Sequence, residues 1–224
     1  MQKLMFPITM AWFVVPFFYQ FQRDFEPALP LPKGPDMGNE YPDGPKRPNP
    51  DMLSRKILEA AVFCVENGLN TDVAILIDLG LHSGSYRCWV VRFSDGATCL
   101  NGLVTHGSGT GKGGLGVGER KYSNVGGSLL SSLGKYRTGF PYRGQFGLAY
   151  KLHGLEQSNS NAFSRAIVLH GLNCVPDSET PYTLCQSWGC PSVSPAFLLQ
   201  LAQIIDSSKK PILLWVFDSR HSEN

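Results

Sequence analysis

Apolar positions recur with two different periods along this chain, and the change of period divides it. Leu53, Ile57, Leu58, Ala61, Val62 and Val65 fall on one stripe of a 3.6-residue repeat. Asp51 as cap and Gly68 as stop bracket that segment, which predicts a helix over 52–67. After it come short runs rich in β-branched and aromatic residues: Val73–Leu79, Tyr86–Phe93, Thr98–Thr105, Phe146–Leu152, Arg165–His170 and Ile212–Phe217. Each is bounded by glycine or polar turns, the pattern of strands, and Ser94-Asp95-Gly96-Ala97 joins two of them as a hairpin. A second helix opens at Ser194-Pro195, a cap hydroxyl followed by proline at the first helical position. Phe197, Leu198, Leu201, Ile204 and Ile205 give it one apolar face.

Upstream of this body the pattern is different. Leu4 to Tyr19 is almost wholly apolar, with Lys3 the only charge before Arg23. As a helix it would reach ~24 Å, short of a ~30 Å hydrocarbon core, and Pro7 and Pro16 weaken it further. This predicts a signal peptide or membrane anchor over 1–22, and therefore an exported protein, cleaved or tethered. Half of the chain's 16 prolines lie between Pro27 and Pro50, so 23–50 reads as an extended linker and 51–224 as the folded domain.

The formal net charge of +2 offers no bulk electrostatic case for nucleic-acid binding. Only 17% of residues are charged, while Gly (24) and Pro (16) are plentiful, which favours a loop-rich β domain over a helical bundle. The glycine-rich stretch His106–Gly118 fails as a phosphate-binding loop. His106 stands where a glycine is required, and Gly113 follows Lys112 in place of Ser or Thr. Gly109 to Gly114 fits GxGxxG, yet no apolar helix follows it. A surface loop or a mobile flap beside a cleft is the expectation.

No pair of the six cysteines has CxxC spacing, so no metal or other cofactor is implied. In an exported protein Cys174 and Cys185 are placed to close a disulfide loop, while Cys64, Cys88 and Cys99 sit in apolar runs as buried hydrophobes. Cys190 differs: Ser187-Trp188-Gly189-Cys190-Pro191 is a turn that presents a sulfur beside free backbone N–H groups. A thiol nucleophile needs a base. His170 ends an apolar strand and precedes Cys190 by 20 residues, enough for a loop to bring the thiol back beside it. A hydrogen-bonded strand-end histidine and a structural cysteine remain the alternative reading.

The segment Arg165–Val193, RAIVLHG…SWGCPSV, resembles the catalytic core of the L,D-transpeptidases of the YkuD type, and more narrowly their YkuD_2 branch with its SxGCPxV signature. Trp89-Val90-Val91, Val104–Gly111, Ser131-Ser132-Leu133-Gly134 with Tyr136 and Thr138, and Gly147–Glu156 match in order, so the likeness spans about 57–217. The resemblance implies a mainly β fold, a mixed β-sandwich with a catalytic cleft and two or so helices. It makes Cys190 the nucleophile, His170 the base, and the Gly171 carbonyl the group that orients the imidazole. The N–H groups around Trp188, Gly189 and Cys190 become the oxyanion hole, with Ser187, Ser131, Ser132 and Tyr136 around the substrate. Trp188 and Ser192 replace a histidine and an arginine of the commoner SHGCxR form, which leaves Arg143 and Arg165 as candidate partners for the substrate carboxylate. Lys112, Arg120, Lys121, Lys135, Arg137 and Arg143 against Glu119 suggest a basic cleft rim.

The implied reaction is cross-linking of peptidoglycan stem peptides. A Cys190 thiolate, paired with protonated His170, attacks the carbonyl before the terminal D-Ala of a donor tetrapeptide. D-Ala leaves, and the amine of an acceptor stem resolves the thioester. The resemblance also implies acylation by carbapenem-type inhibitors. Hydrolysis of the same thioester, an L,D-carboxypeptidase activity, and a catalytically silent envelope-binding module are the other readings.

Overall fold

The structure is a computed structural model that describes residues 47–109 and 121–221. The signal or anchor expected over 1–22, most of the 23–50 linker and the centre of the glycine-rich loop lie outside the described residues. Among the described residues no helix is long and apolar enough to cross a membrane.

Helix α1 runs Pro50–Glu66. Its cap is Asn49, whose side chain accepts from the N–H groups of Asp51 and Met52, with Pro50 at the first helical position. The start therefore falls before the Asp51 cap expected from sequence, because Asn caps as well as Asp and proline is pre-set for that position. Helix α2, Pro195–Ser207, is capped by Ser194 as expected. Among the described residues eight strands follow one another as β1 Val73–Asp78, β2 Cys88–Arg92, β3 Thr98–Gly102, β4 Gly134–Gly144, β5 Gly147–Gly154, β6 Val168–Gly171, β7 Ser192–Val193 and β8 Leu213–Phe217. They form one hydrogen-bonded mixed sheet in the order β3-β2-β1-β8-β4-β5-β6-β7. The β1–β8 and β6–β7 pairs are parallel and the others antiparallel.

The mixed, mainly β architecture with two helices is as expected, and its two layers belong to one continuous sheet. Ile75 and Val90 from one half share a core with Tyr150, Leu152 and Leu169 from the other, and Phe197, Leu198 and Leu201 of α2 fill it. The opposite face of β1, β2 and β8 presents Leu76, Trp89 and Trp215 to α1. Covered on both faces, β1 reads VAILID, apolar almost throughout.

Helix α1 buries Met52, Ile57, Ala60 and Cys64, while Leu58, Val62 and Val65 of the expected stripe are exposed. The helix is turned so that small Ala60 and Cys64 allow close approach to the sheet. Cys99, expected inside, is exposed. Cys174 and Cys185 are joined by a disulfide, as their spacing suggested. It closes a loop between β6 and the Cys190 turn and is worth roughly 3 kcal/mol by chain entropy.

Candidate active site

Strand β6 carries His170 and is flanked by β5 and β7, with Ala149 and Ser192 as the register partners of the histidine. Leu169 points into the core, so Val168 and His170 point to the opposite face. His170 is 3% exposed, and its ring is held on three sides. Its Nδ1 lies 2.8 Å from the Gly171 carbonyl, its Nε2 lies 2.8 Å from Ser192 Oγ, and Phe146 stacks on it at 4.5 Å between centroids. A carbonyl only accepts, so Nδ1 carries the proton. Nε2 therefore presents its lone pair and the Ser192 hydroxyl donates to it.

Cys190 arrives from the turn preceding β7. Its sulfur accepts from the Val168 N–H at 3.4 Å and lies 3.8 Å from the Ala166 carbonyl. Ala166 reaches this position with φ at 56°, a left-handed conformation unusual for a residue with a side chain. Gly189 sits at φ 109°, and a Cβ there would meet the Leu130 carbonyl at 2.7 Å, so the turn demands glycine. Ser187 ties the turn together, donating to the Cys190 carbonyl at 2.6 Å and accepting from the Gly189 N–H at 3.2 Å. That leaves the N–H groups of Trp188 and Cys190 without an acceptor among the described residues. The Trp188 side chain is exposed.

The base of the glycine-rich stretch belongs to this turn. Gly107 bridges to Ser187, and the Ser108 N–H donates to the Ser187 carbonyl at 2.9 Å. Ser131 is buried, accepting from Gly107 N–H at 2.9 Å and donating to the Gly189 carbonyl at 3.3 Å. Ser132 and Tyr136 are buried against each other at 2.9 Å, and burial pushes the Tyr136 phenol up to about 12. Geometry thus gives Ser131, Ser132 and Tyr136 a supporting place behind the turn.

The cations divide in the same way. Arg165 donates to the carbonyls of Ser123 and Leu130 at 2.7 and 2.6 Å and to the hydroxyls of Ser132 and Ser128. Its guanidinium staples the wall behind Gly189, and both of its terminal nitrogens are spoken for. Arg143 is exposed near the tip of the β4–β5 hairpin. Lys135, expected on a basic rim, is buried and paired with Glu59 and Glu156.

Burial raises the Cys190 thiol above its ordinary range, opposed by the Val168 N–H and by the charges of Arg165 and Lys151. Burial lowers His170, opposed by its bond to the Gly171 carbonyl. Both groups are therefore neutral at neutral pH, and no hydrogen bond joins them. Nε2 is engaged by the Ser192 hydroxyl, and burial works against the thiolate–imidazolium pair expected from sequence. Val168 and Lys151 were not singled out in the sequence, and Ser192 was noted there only as the replacement of an arginine. The alternation of β5, with Tyr150 and Leu152 inward, is the signal that placed Lys151 on the His170 face.

The profile of the L,D-transpeptidase catalytic domain, YkuD_2, matches residues 48–217. The chain belongs to this family. No curated protein matches it. Several solved structures are similar, two of which follow. One is the helical cell shape determining protein Pgp2 of Campylobacter jejuni, at 12% identity and a TM-score of 0.42, covering 66% of this chain and 47% of that one. This chain thus spans about half the length of Pgp2. The other is an L,D-transpeptidase of Xylanimonas cellulosilytica, at 14% identity and a TM-score of 0.34, covering 69% and 68% of the two chains.

Proposed function

We propose that this protein is an exported murein L,D-transpeptidase that works through a Cys190 thioester. The observation that carries the reading is the state of His170. Its proton is fixed on Nδ1 by Gly171, so an unprotonated Nε2 is presented on the strand paired with the one Cys190 leads into. A donor tetrapeptide stem lies with its penultimate carbonyl at the sulfur. As sulfur bonds to the carbonyl carbon, the thiol proton passes to Nε2, which the Ser192 hydroxyl has released by turning away. The N–H groups of Trp188 and Cys190 receive the oxyanion. The carbon–nitrogen bond then breaks, and imidazolium gives its proton to the departing D-Ala amine. The amine of an acceptor stem repeats the sequence in reverse and leaves a cross-link, whereas water leaves a tripeptide. Two neutral partners support this account, since a charge created only as the substrate excludes water is stabilised where it develops.

The test is product analysis with a synthetic tetrapeptide stem, with and without an acceptor amine. Released D-Ala together with a cross-linked dimer supports transpeptidation. Tripeptide alone in the presence of acceptor assigns the hydrolytic activity instead, and unchanged substrate rejects both.

A further inference from the structure

Arg165 and Lys151 act electrostatically on the cysteine, Arg143 is the other cation expected from sequence, and their bonding separates them. Arg165 has both terminal nitrogens engaged by the wall of the site, and Arg143 is exposed near a hairpin tip. Lys151 is different. It sits on β5 directly opposite Val168, the residue whose N–H touches the Cys190 sulfur. Directly paired residues share a face, so Lys151 lies on the His170 side of the sheet. Its ammonium rests over the rings of Tyr142 at 4.9 Å and Phe163 at 5.7 Å, and no carboxylate is within ion-pair distance among the described residues. Its charge is felt at the cysteine, where it holds the thiol down against burial. A half-buried cation without a counter-ion, steadied by two aromatic faces beside a nucleophile, is a prepared anion site.

We infer that Lys151 is the residue that recognises the terminal carboxylate of the donor peptide. The inference rests on the proposed function and deepens it. In a stem ending in D-Ala, that carboxylate is the one closest to the attacked carbonyl, three bonds away. Binding it at Lys151 fixes which carbonyl meets the sulfur, and a donor without the free carboxylate loses the contact. The site therefore selects donors with an unblocked C-terminus.

The experiment compares a tetrapeptide free acid with its C-terminal amide on wild-type protein, Lys151→Met and Lys151→Arg. Thioester formation is followed by intact mass over a range of peptide concentrations. Wild type is expected to favour the acid by roughly 10- to 100-fold in kcat/KM, the size of one charged hydrogen bond, with most of the difference in KM. Lys151→Met, which keeps an unbranched stem over the two rings, is expected to bring the acid-to-amide ratio of kcat/KM close to one, whatever its effect on the rate common to both peptides. Lys151→Arg is expected to restore the preference for the acid. A Lys151→Met protein that retains the wild-type acid-to-amide ratio overturns the inference and leaves the proposed function standing. If wild type forms no thioester with either peptide, the proposed function fails and the inference falls with it.

Discussion

At Cys190 and His170, burial drives both groups toward their neutral forms, and this sets the pH behaviour of the site. Alkylation consumes thiolate, and a thiol raised above its ordinary range yields little of it at neutral pH. The rate of Cys190 modification by iodoacetamide is therefore expected to keep climbing through pH 9. A plateau below about pH 7.5 would instead reveal a thiolate–imidazolium pair of the kind that lowers cysteine pKa values. The base behaves in the complementary way. A lowered imidazole stays unprotonated at neutral pH, so substrate acylation should fall only below about pH 6.5, the ordinary value. At this scale the sequence offers the candidate residues but not the hydrogen bonds that hold them. Cys190, His170 and Gly171 stand out by spacing and by likeness, but a hydrogen bond from Ser192 to Nε2 depends on the β6–β7 register. Strand β7 is two residues long, too short to leave a periodic trace.

The element that delivers the sulfur is the Ser187–Pro191 turn, and its conformation rests on one glycine. Gly189→Ala places a Cβ 2.7 Å from the Leu130 carbonyl at φ 109°. The expected cost is about 1–3 kcal/mol in chemical denaturation, with acylation at Cys190 reduced at least about tenfold as the turn shifts. Unchanged acylation would mean that the turn does not position the sulfur. Among the other elements, both helices and six strands were readable from pattern, and α2 was readable down to its cap. Strand β4 was missed. Its sequence, GKYRTGFPYRG, carries three glycines and a proline, and a register shift between Thr138 and Pro141 lets that proline sit in a paired strand. The face of α1 was misjudged for another reason. Two apolar stripes overlap on that helix, and only contact with Trp215 and its neighbours decides between them.

For the whole molecule, the strand order could not be read from the chain, because β1 and β8 pair in parallel across most of its length. Such a pairing is decided by burial on both faces and leaves no local mark. The ends of these two strands also hold a buried acid. Asp218 is 2% exposed and accepts from Arg220 at 2.6 Å and from Tyr122 at 2.6 Å, which hold its carboxyl far below the usual range despite burial. A carboxyl depressed on folding adds stability above its unfolded value near 4, and that stability is lost as pH falls toward the folded value. Asp218→Asn is expected to cost about 3 kcal/mol at pH 7, with the gap to wild type closing in denaturation curves taken below about pH 4. A gap independent of pH would show that the charge contributes nothing.

All of this converges on the sulfur at position 190, and mass spectrometry reads it directly. Wild-type protein incubated with a carbapenem should gain the mass of one drug molecule, with the adduct mapping to the peptide that contains Cys190, while folded Cys190→Ala gains none. An adduct of equal yield on the alanine variant, or a wild-type protein that stays unmodified, would contradict the account.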